Sequence, residues 1–337
     1  MRKSITLHDI AEAAGVSFNT VSRALNDKPD ISAKTRQHVL ETASRLDYHP
    51  NRLARGLRQR RTSTIGVVVA DLANTFFAEV VEGIERVATD KGYSIILANS
   101  EERGDRELAA VRTLVEHQVD GVLIAPTQHQ RSALEYLSHR GVPYCLLARF
   151  FDGFTEDAVV NDDQAGARMA VAYLLAGGHR RILFINGPSR VSSARRRLAG
   201  YRQAHAEAGL QIDEGLIVET EARMEDGLAA VRRSLDEKPG FSAVFCFSDY
   251  LSFGAIQALR AADLSIPGDV AVMGYDDVAL AAAFNPALTT VRIAKMLLGR
   301  IAGEKLISRL EGVEPAGGTS ADKVTTLTPE LVIRSSA

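Results

Sequence analysis

Residues 6–26 read TLHDIAEAAGVSFNTVSRALN, and their punctuation predicts two short helices joined by a tight turn. Thr6 and Asp9 form a T-x-x-D capping pattern ahead of an apolar face made by Leu7, Ile10 and Ala14. Gly15 falls where a left-handed helix end belongs. Ser17 is placed to cap a second helix whose buried stripe is Val21, Ala24 and Leu25. KPDI (28–31) breaks that helix, and Ser32 opens a third, with Val39, Leu40, Ala43 and Leu46 expected to face inward. HPN (49–51) ends the unit. Helix, glycine turn, helix and a bracing third helix make a helix-turn-helix.

The second helix projects Phe18, Asn19, Thr20, Ser22 and Arg23 outward. Asn and Arg suit bidentate contacts to adenine and guanine in a major groove, and Phe can pack on a thymine methyl. Ser22, Asn26, Lys34 and Arg36 are placed to touch phosphates. Charge agrees with this use. Residues 1–61 hold 12 Lys+Arg against 6 Asp+Glu, a balance of +6, whereas the rest of the 337-residue chain balances at −8. A basic head on an acidic body suits a polyanionic partner. A small helical bundle with a solvated polar face would share the helix pattern alone.

The wording of the sequence goes further. TLHDIAEAAGVSFNTVSRALN, followed by SAKTRQHVLETASRLDYHPNRLARGLR (32–58), closely resembles the N-terminal domain of the lactose/galactose repressor (LacI/GalR) family. The resemblance implies that Phe18, Asn19 and Arg23 read base edges of double-stranded DNA. It also implies that Asn51, Arg55, Leu57 and Arg58 belong to a hinge that becomes helical on DNA, pairs with its copy in the minor groove and wedges Leu57 into the central base step. The residues themselves suit that role. Gly56 lowers helix stability by about 1 kcal/mol relative to Ala, so such a helix needs a partner. Arg55 and Arg58 offer charge to a groove lined by phosphate, and an apolar wedge bends the duplex toward more protein surface.

From residue 64 the texture alternates between apolar strand runs (TIGVVVAD, YSIILAN, DGVLIAP, PYCLLA) and helical segments, and a second series follows (RRILFING, SAVFCFSD, DVAVMGYDD). The expected fold is therefore α/β: an all-α helix-turn-helix head and a two-lobed, doubly wound body resembling periplasmic binding proteins. The expected boundaries are 1–50 for the head, 51–61 for the hinge and 62–337 for the effector-binding and dimerisation body. Within the body, one lobe takes about 62–161 and 292–325, and the other about 162–291 and 326–337. Ligands of open α/β sheets bind at the carboxyl ends of the strands, so a cleft between the lobes is the expected site.

Further stretches of the body resemble the same family: TIGVVVADLANTFFAEVVEGIE, GPSRVSSARRRLAGY, IPGDVAVMGYDD, PALTTV and LTPELVIRSS. The likeness implies that Arg195 holds effector hydroxyls or carboxylates, that Asp276 accepts hydrogen bonds from sugar hydroxyls, and that Phe77 floors the pocket. Asp162, at the inter-lobe crossing, is expected to line the cleft too. Arg196 and Arg197 are expected in solvent, because successive helical positions face different ways. The sequence departs from the family's pattern at Ala222, where several members carry an aromatic wall. Phe151 or Phe247 is left to replace it.

The function implied is a ligand-responsive, sequence-specific transcriptional regulator, most simply a repressor. Two copies would bind a near-palindromic operator under control of a sugar or sugar derivative. The end of the chain lacks the leucine heptad that makes tetramers in the lactose repressor, so a homodimer is expected. Two alternatives share the α/β body. An exported solute-binding protein would need an export signal, and MRKSITLHDI (1–10) has no apolar core or cleavage site. A nucleotide-dependent enzyme would need a phosphate turn, and IGVVVADLANTFF (65–77) contains no G-x-G-x-x-G. No catalytic residue, metal or cofactor is expected, and no run of 18 apolar residues suggests a membrane span. Cys145 and Cys246 sit in apolar runs as buried thiols, which suits the cytoplasm. Leu57→Ala is expected to weaken operator binding and reduce DNA bending without changing effector affinity. Unchanged bending in a circular-permutation gel assay would remove Leu57 from the wedge role.

Overall fold

The computed structural model describes residues 5–25, 28, 30–48, 61–153, 156–237, 240–313 and 323–337. The chain separates into a unit ending at Thr62 and a unit from Ser63 to Ala337. The first unit contains α1 (Leu7–Ala14), α2 (Phe18–Leu25) and α3 (Ala33–Arg45). Thr6 and Asp9 close a reciprocal capping box, and Gly15 ends α1 at φ 65° with its N–H on the carbonyls of Ala11 and Glu12. Ser17 accepts from Thr20 N at 3.1 Å and Ser32 from Thr35 N at 3.1 Å, starting the next two helices. Ile10, Ala11, Val21, Ala24, Val39 and Ala43 form the core. Leu40, expected inside, is 43% exposed, and Thr42 is buried instead. The inward face of α3 follows the i, i+3, i+4 set Val39, Thr42 and Ala43, which leaves Leu40 on its flank.

In chain order the second unit runs β1 (Thr64–Val69), α4 (Thr75–Asp90), β2 (Ser94–Asn99), α5 (Gly104–Glu116), β3 (Gly121–Ile124), α6 (Ser132–Arg140), β4 (Tyr144–Leu147) and β5 (Ala158–Asn161). It then crosses to α7 (Asp163–Ala176), β6 (Ile182–Asn186), α8 (Ser192–Glu207), β7 (Ile217–Glu219), α9 (Met224–Glu237), β8 (Ala243–Cys246), α10 (Asp249–Ala261), β9 (Ala271–Asp276), α11 (Ala279–Ala283) and β10 (Thr289–Arg292). It returns through α12 (Lys295–Glu311) and β11 (Val324–Leu327), and finishes in β12 (Glu330–Val332).

Among the described residues there are two six-stranded sheets, β11-β5-β4-β3-β1-β2 and β12-β10-β9-β8-β6-β7. Apart from the antiparallel pair β10–β12, every pairing is parallel. Both sheets therefore repeat one winding, in which the second strand lies outside the first and the remainder lie on its other side. That order creates a switch point, and a crevice, at the carboxyl ends of each sheet. The buried β1, β3, β4, β6 and β8 runs explain why the sequence reads as continuous apolar stretches rather than alternation. The chain passes between lobes after β5, after β10 and between β11 and β12.

Helices α4 and α12 pack backbone to backbone in the first lobe. A Cβ on Gly83 would stand 2.1 Å from Met296 O, and one on Gly299 would stand 2.0 Å from Val80 O. Gly299→Ala gains about 1 kcal/mol of intrinsic helix propensity, but the clashing atom is backbone and cannot rotate away. Overpacking costs about 1–3 kcal/mol, so the variant should unfold at lower urea concentration than the parent. A raised midpoint would show that the helices can separate freely.

Candidate functional site

In the head, α2 carries Asn19 and Arg23 one turn apart, both exposed, while Phe18 and Ser22 are half-buried. The Phe18 ring stacks on His8, with centroids 4.7 Å apart. The Arg23 guanidinium is ion-paired with Asp30. On α3, Lys34 is exposed and Arg36 Nη2 donates to Lys28 O at 2.8 Å. The segment after α2 is thereby tied to α3. Asn26, Asn51, Arg55, Leu57 and Arg58 lie outside the described residues.

In the body, a cleft of about 630 Å³ opens between the carboxyl ends of the two sheets. Its first-lobe wall comes from the β1–α4 turn with Phe76 and Phe77, from Asn99 to Glu102 after β2, from Ala148 and Arg149 after β4, and from Asn161. Its second-lobe wall comes from Val191, Ser193 and Arg197 around α8, from Glu221 to Glu225 before α9, from Phe247 and Tyr250, and from Asp276.

The most constrained group is Arg197, only 4% exposed. Its Nε donates to Asp163 Oδ1 at 2.9 Å, its Nη2 stands 2.8 Å from the same oxygen and 3.7 Å from Asp276 Oδ1, and Nη1 donates to Phe247 O. The guanidinium carbon lies 3.5 Å from the Tyr275 ring centroid and 4.4 Å from that of Phe247. In the core, the Phe184 ring stacks against both Tyr201 and Phe245. Burial pushes the Asp276 carboxyl up to about 7, against the opposing pull of Arg197 and Lys295. Asp163 is likewise raised by burial, despite its arginine.

Across the cleft, Arg149 holds Glu102 with two hydrogen bonds, at 2.9 and 2.6 Å. Burial alone would raise Glu102, but the Arg149 charge and these bonds outweigh it and hold the carboxyl below its ordinary range. Asn161 Oδ1 is buried in the cleft wall with no hydrogen-bond partner.

Side chains clasp the lobes at both ends of the cleft. The Tyr250 hydroxyl donates to Ala73 O at 3.0 Å and accepts from Thr75 N at 3.4 Å. At the other end, Gln128 Oε1 accepts from Ser192 N at 2.7 Å, and Ser192 Oγ accepts from Phe150 N at 3.1 Å.

The structure brings Phe77 and Asp276 into the cleft and leaves Arg195 and Asp162 out of it. Arg195 is exposed and belongs to the second clasp. It donates to Arg190 O at 2.7 Å and pairs with Asp152 at 3.1 Å. The reason is helical phase. Ala194, Arg197, Tyr201 and Ala204 form the buried stripe of α8, so the arginine on that stripe enters the cleft, and one two positions earlier points about 200° away. Arg197, expected in solvent, is the buried one, while Arg196 lies outside over the Phe150 ring. Asp162 caps α7, accepting from Ala165 N at 3.0 Å, and its neighbour Asp163 makes the ion pair. Of the two aromatics left to replace the wall missing at Ala222, Phe247 lines the cleft, and Phe151 packs under Arg131. Arg149, two residues past the end of β4, also lines the cleft, at a strand end where ligand groups gather in this topology, and no motif in the sequence marks it.

The chain matches two family descriptions: "Bacterial regulatory proteins, lacI family" over residues 6–51, and "Periplasmic binding proteins and sugar binding domain of LacI family" over residues 62–329. It is 37% identical to the ribose operon repressor of Escherichia coli K12 over 334 residues, 98% of this chain and 99% of that one. It is 35% identical to catabolite control protein A of Priestia megaterium over 289 residues, 86% of this chain and 87% of the relative. Among solved structures, the lac repressor dimer bound to operator and the anti-inducer ONPF superposes with a TM-score of 0.88 at 30% identity, covering 99% of each chain. A CelR–cellobiose complex superposes at 0.76 with 32% identity, covering 99% of this chain and 100% of that one.

Removing Arg197 would strand Asp163 and Asp276 in a low-dielectric site. Breaking a buried pair this way costs about 3–5 kcal/mol, whereas an exposed pair such as Arg195–Asp152 contributes about 0–1 kcal/mol. Chemical denaturation should therefore show a large loss for Arg197→Met and almost none for Arg195→Met. Equal losses would contradict the assignment of Arg197 to the buried face.

Proposed function

We propose, for a chain that belongs to the LacI family and is an effector-controlled DNA-binding repressor rather than an enzyme, that its cleft takes a compact, uncharged, hydroxyl-rich ligand of the sugar class. The observation that carries this reading is the charge state of the lining. Both buried arginines, Arg149 and Arg197, are already paired with carboxylates. Asp71, Glu101, Glu102, Glu221, Glu225 and Asp276 outnumber the three lining arginines, Arg149, Arg197 and Arg223. An anionic sugar acid or phosphate would meet that excess directly. A polyol instead supplies hydroxyl protons to Asn161 Oδ1 and Asp276, which a buried acceptor needs. Phe77 and Phe247 offer apolar faces for the ring carbons. Arg197, whose Nε and Nη groups are engaged by Asp163 and Phe247 O, stands beside Asp276 at 3.7 Å and fixes that corner of the cleft.

The protein acts, on this reading, as a homodimer on a near-palindromic operator in the cytoplasm. Asn19 and Arg23 read base edges with Phe18, while Ser22, Asn26, Lys34 and Arg36 hold phosphates. Asn51, Arg55, Leu57 and Arg58 form the minor-groove element. Exposed Leu97 on the edge strand β2, Leu72 in the β1–α4 turn and Leu280 on α11 are apolar surface that a second copy could cover. Ligand affects operator affinity only through its differential contacts with two arrangements of the lobes.

Thermal-shift titration with D-ribose and cellobiose, set against D-gluconate as the anionic control, tests the ligand class. A neutral sugar is expected to raise the unfolding temperature by mass action. Stronger stabilisation by gluconate would overturn the reading. Proton linkage gives a second check. Asp276 titrates at about 7, flanked by Arg197 and Lys295 on one side of the balance and by Asp163 and Glu79 on the other. A hydroxyl donating to its carboxylate favours the ionised form, so affinity should rise as pH climbs through 7, with a proton released on binding. Calorimetry in buffers of different ionisation enthalpy measures that proton, and Asp276→Asn should abolish it.

A further inference from the structure

We infer that Lys295 is a positioning residue that fixes the ligand-facing corner at Asp276 and ties it to α4 of the opposite lobe through Glu79. The inference rests on the proposed reading only in taking Asp276 as a ligand contact. Lys295 is the first residue of α12, just after the chain's second passage between lobes. It is 4% exposed and is the only buried lysine among the described residues.

An ammonium carries three protons, and this one has three partners. Its Nζ donates to Asp276 O at 2.7 Å and to Asp277 O at 2.8 Å, and it stands 3.5 Å from Glu79 Oε2. The two carbonyls belong to consecutive residues at φ 110° and φ 52°, a region that L side chains rarely adopt. A backbone held there needs outside support. Lys295 supplies it at the carbonyls, while Arg292 and Arg334 grip the Asp277 carboxylate at 2.7 and 2.6 Å. The Asp276 side chain is left at the cleft beside Arg197.

Glu79 lies on α4, whose first turn puts Phe76 and Phe77 on the opposite cleft wall. One cation thus holds backbone on one wall and a carboxylate on the helix that forms the other. Helix energetics alone do not account for a lysine at this position. The first turn of a helix is the positive end of its dipole and favours acids, and a buried ammonium must be desolvated. A bond set spanning both lobes accounts for it.

Hydrogen–deuterium exchange on the full, unliganded chain tests the link in the parent, Glu79→Gln and Lys295→Met. Glu79→Gln alters only α4, yet it should speed exchange about tenfold in residues 274–280 of the other lobe as well as in 75–82. Lys295→Met should speed both segments at least as much. Changes confined to the segment nearest each substitution would overturn the inference, and Glu79→Gln decides the matter if Lys295→Met does not fold. A D-ribose titration across pH adds a readout that a purely structural role would not move. Without the Lys295 charge, the midpoint of the pH-dependent affinity should shift to higher pH, whereas a structural defect would lower affinity equally at every pH. If D-ribose fails to bind the parent protein, the ligand assignment falls, and the exchange data still decide the role of Lys295.

Discussion

A guanidinium buried between two aromatic rings sets the terms for the rest of the cleft. Removing a charge from water costs several kcal/mol after relaxation, and only close carboxylates and satisfied hydrogen bonds offset it. Arg197 meets that demand with groups from three places in the chain: Asp163 at the start of α7, Phe247 after β8 and Asp276 at the end of β9. These must arrive together or the charge is uncompensated. The second lobe therefore cannot form this corner in part, and the site is preorganised before any ligand enters. Preorganisation favours affinity because the ordering cost has already been met in folding.

The lobes are joined covalently by three passages and non-covalently by two clasps of ordinary hydrogen bonds, with the exposed Arg195–Asp152 pair beside the second, and by the Lys295–Glu79 link. Each such bond contributes about 0.5–1.5 kcal/mol net, so the Tyr250 bridge and the Gln128–Ser192–Phe150 set together amount to a few kcal/mol. That is the size of barrier a small ligand can work against. A molecule that binds both walls better in one arrangement shifts the balance by its differential affinity and no more. Buried ion pairs hold each wall together, while the walls are joined by single hydrogen bonds, by the exposed Arg195–Asp152 pair and by the Lys295–Glu79 link.

Much of this was legible in the sequence. The capping box at Thr6 and Asp9, the turn at Gly15 and the apolar strand runs are local signals, and local physics fixes them. The differences share a cause. Resemblance points to Arg195 within a run of three arginines, whereas the structure puts Arg197 on the buried stripe with Ala194, Tyr201 and Ala204. Hydrophobicity points Leu40 to the core, whereas helical phase favours Thr42. Asp162 and Asp163 could not be told apart locally. One caps its own helix, and the other answers an arginine 34 residues later, a distance no window reaches. Lys295 and Glu79 are farther apart still, and nothing local joins them.

In the head, Arg23 is paired with Asp30 in the same way that Arg197 is paired with Asp163, but the consequences differ because the dielectric differs. Arg23 and Asp30 are both about half exposed, and pairs of that kind contribute about 0–1 kcal/mol. A bidentate arginine contact to guanine discriminates by about 1–3 kcal/mol. If Arg23 reads a guanine as proposed, the exchange of Asp30 for that base edge is downhill at a matching site and close to neutral at a mismatched one. Asp30 also puts a negative charge beside Arg23, which on the same proposal opposes non-specific attraction to phosphate. On that proposal, an exposed acid beside the arginine raises the ratio of specific to non-specific binding while costing the folded head almost nothing. The buried pair in the body has no such exchange open to it, because a guanidinium leaving Asp163 would strand a buried carboxylate.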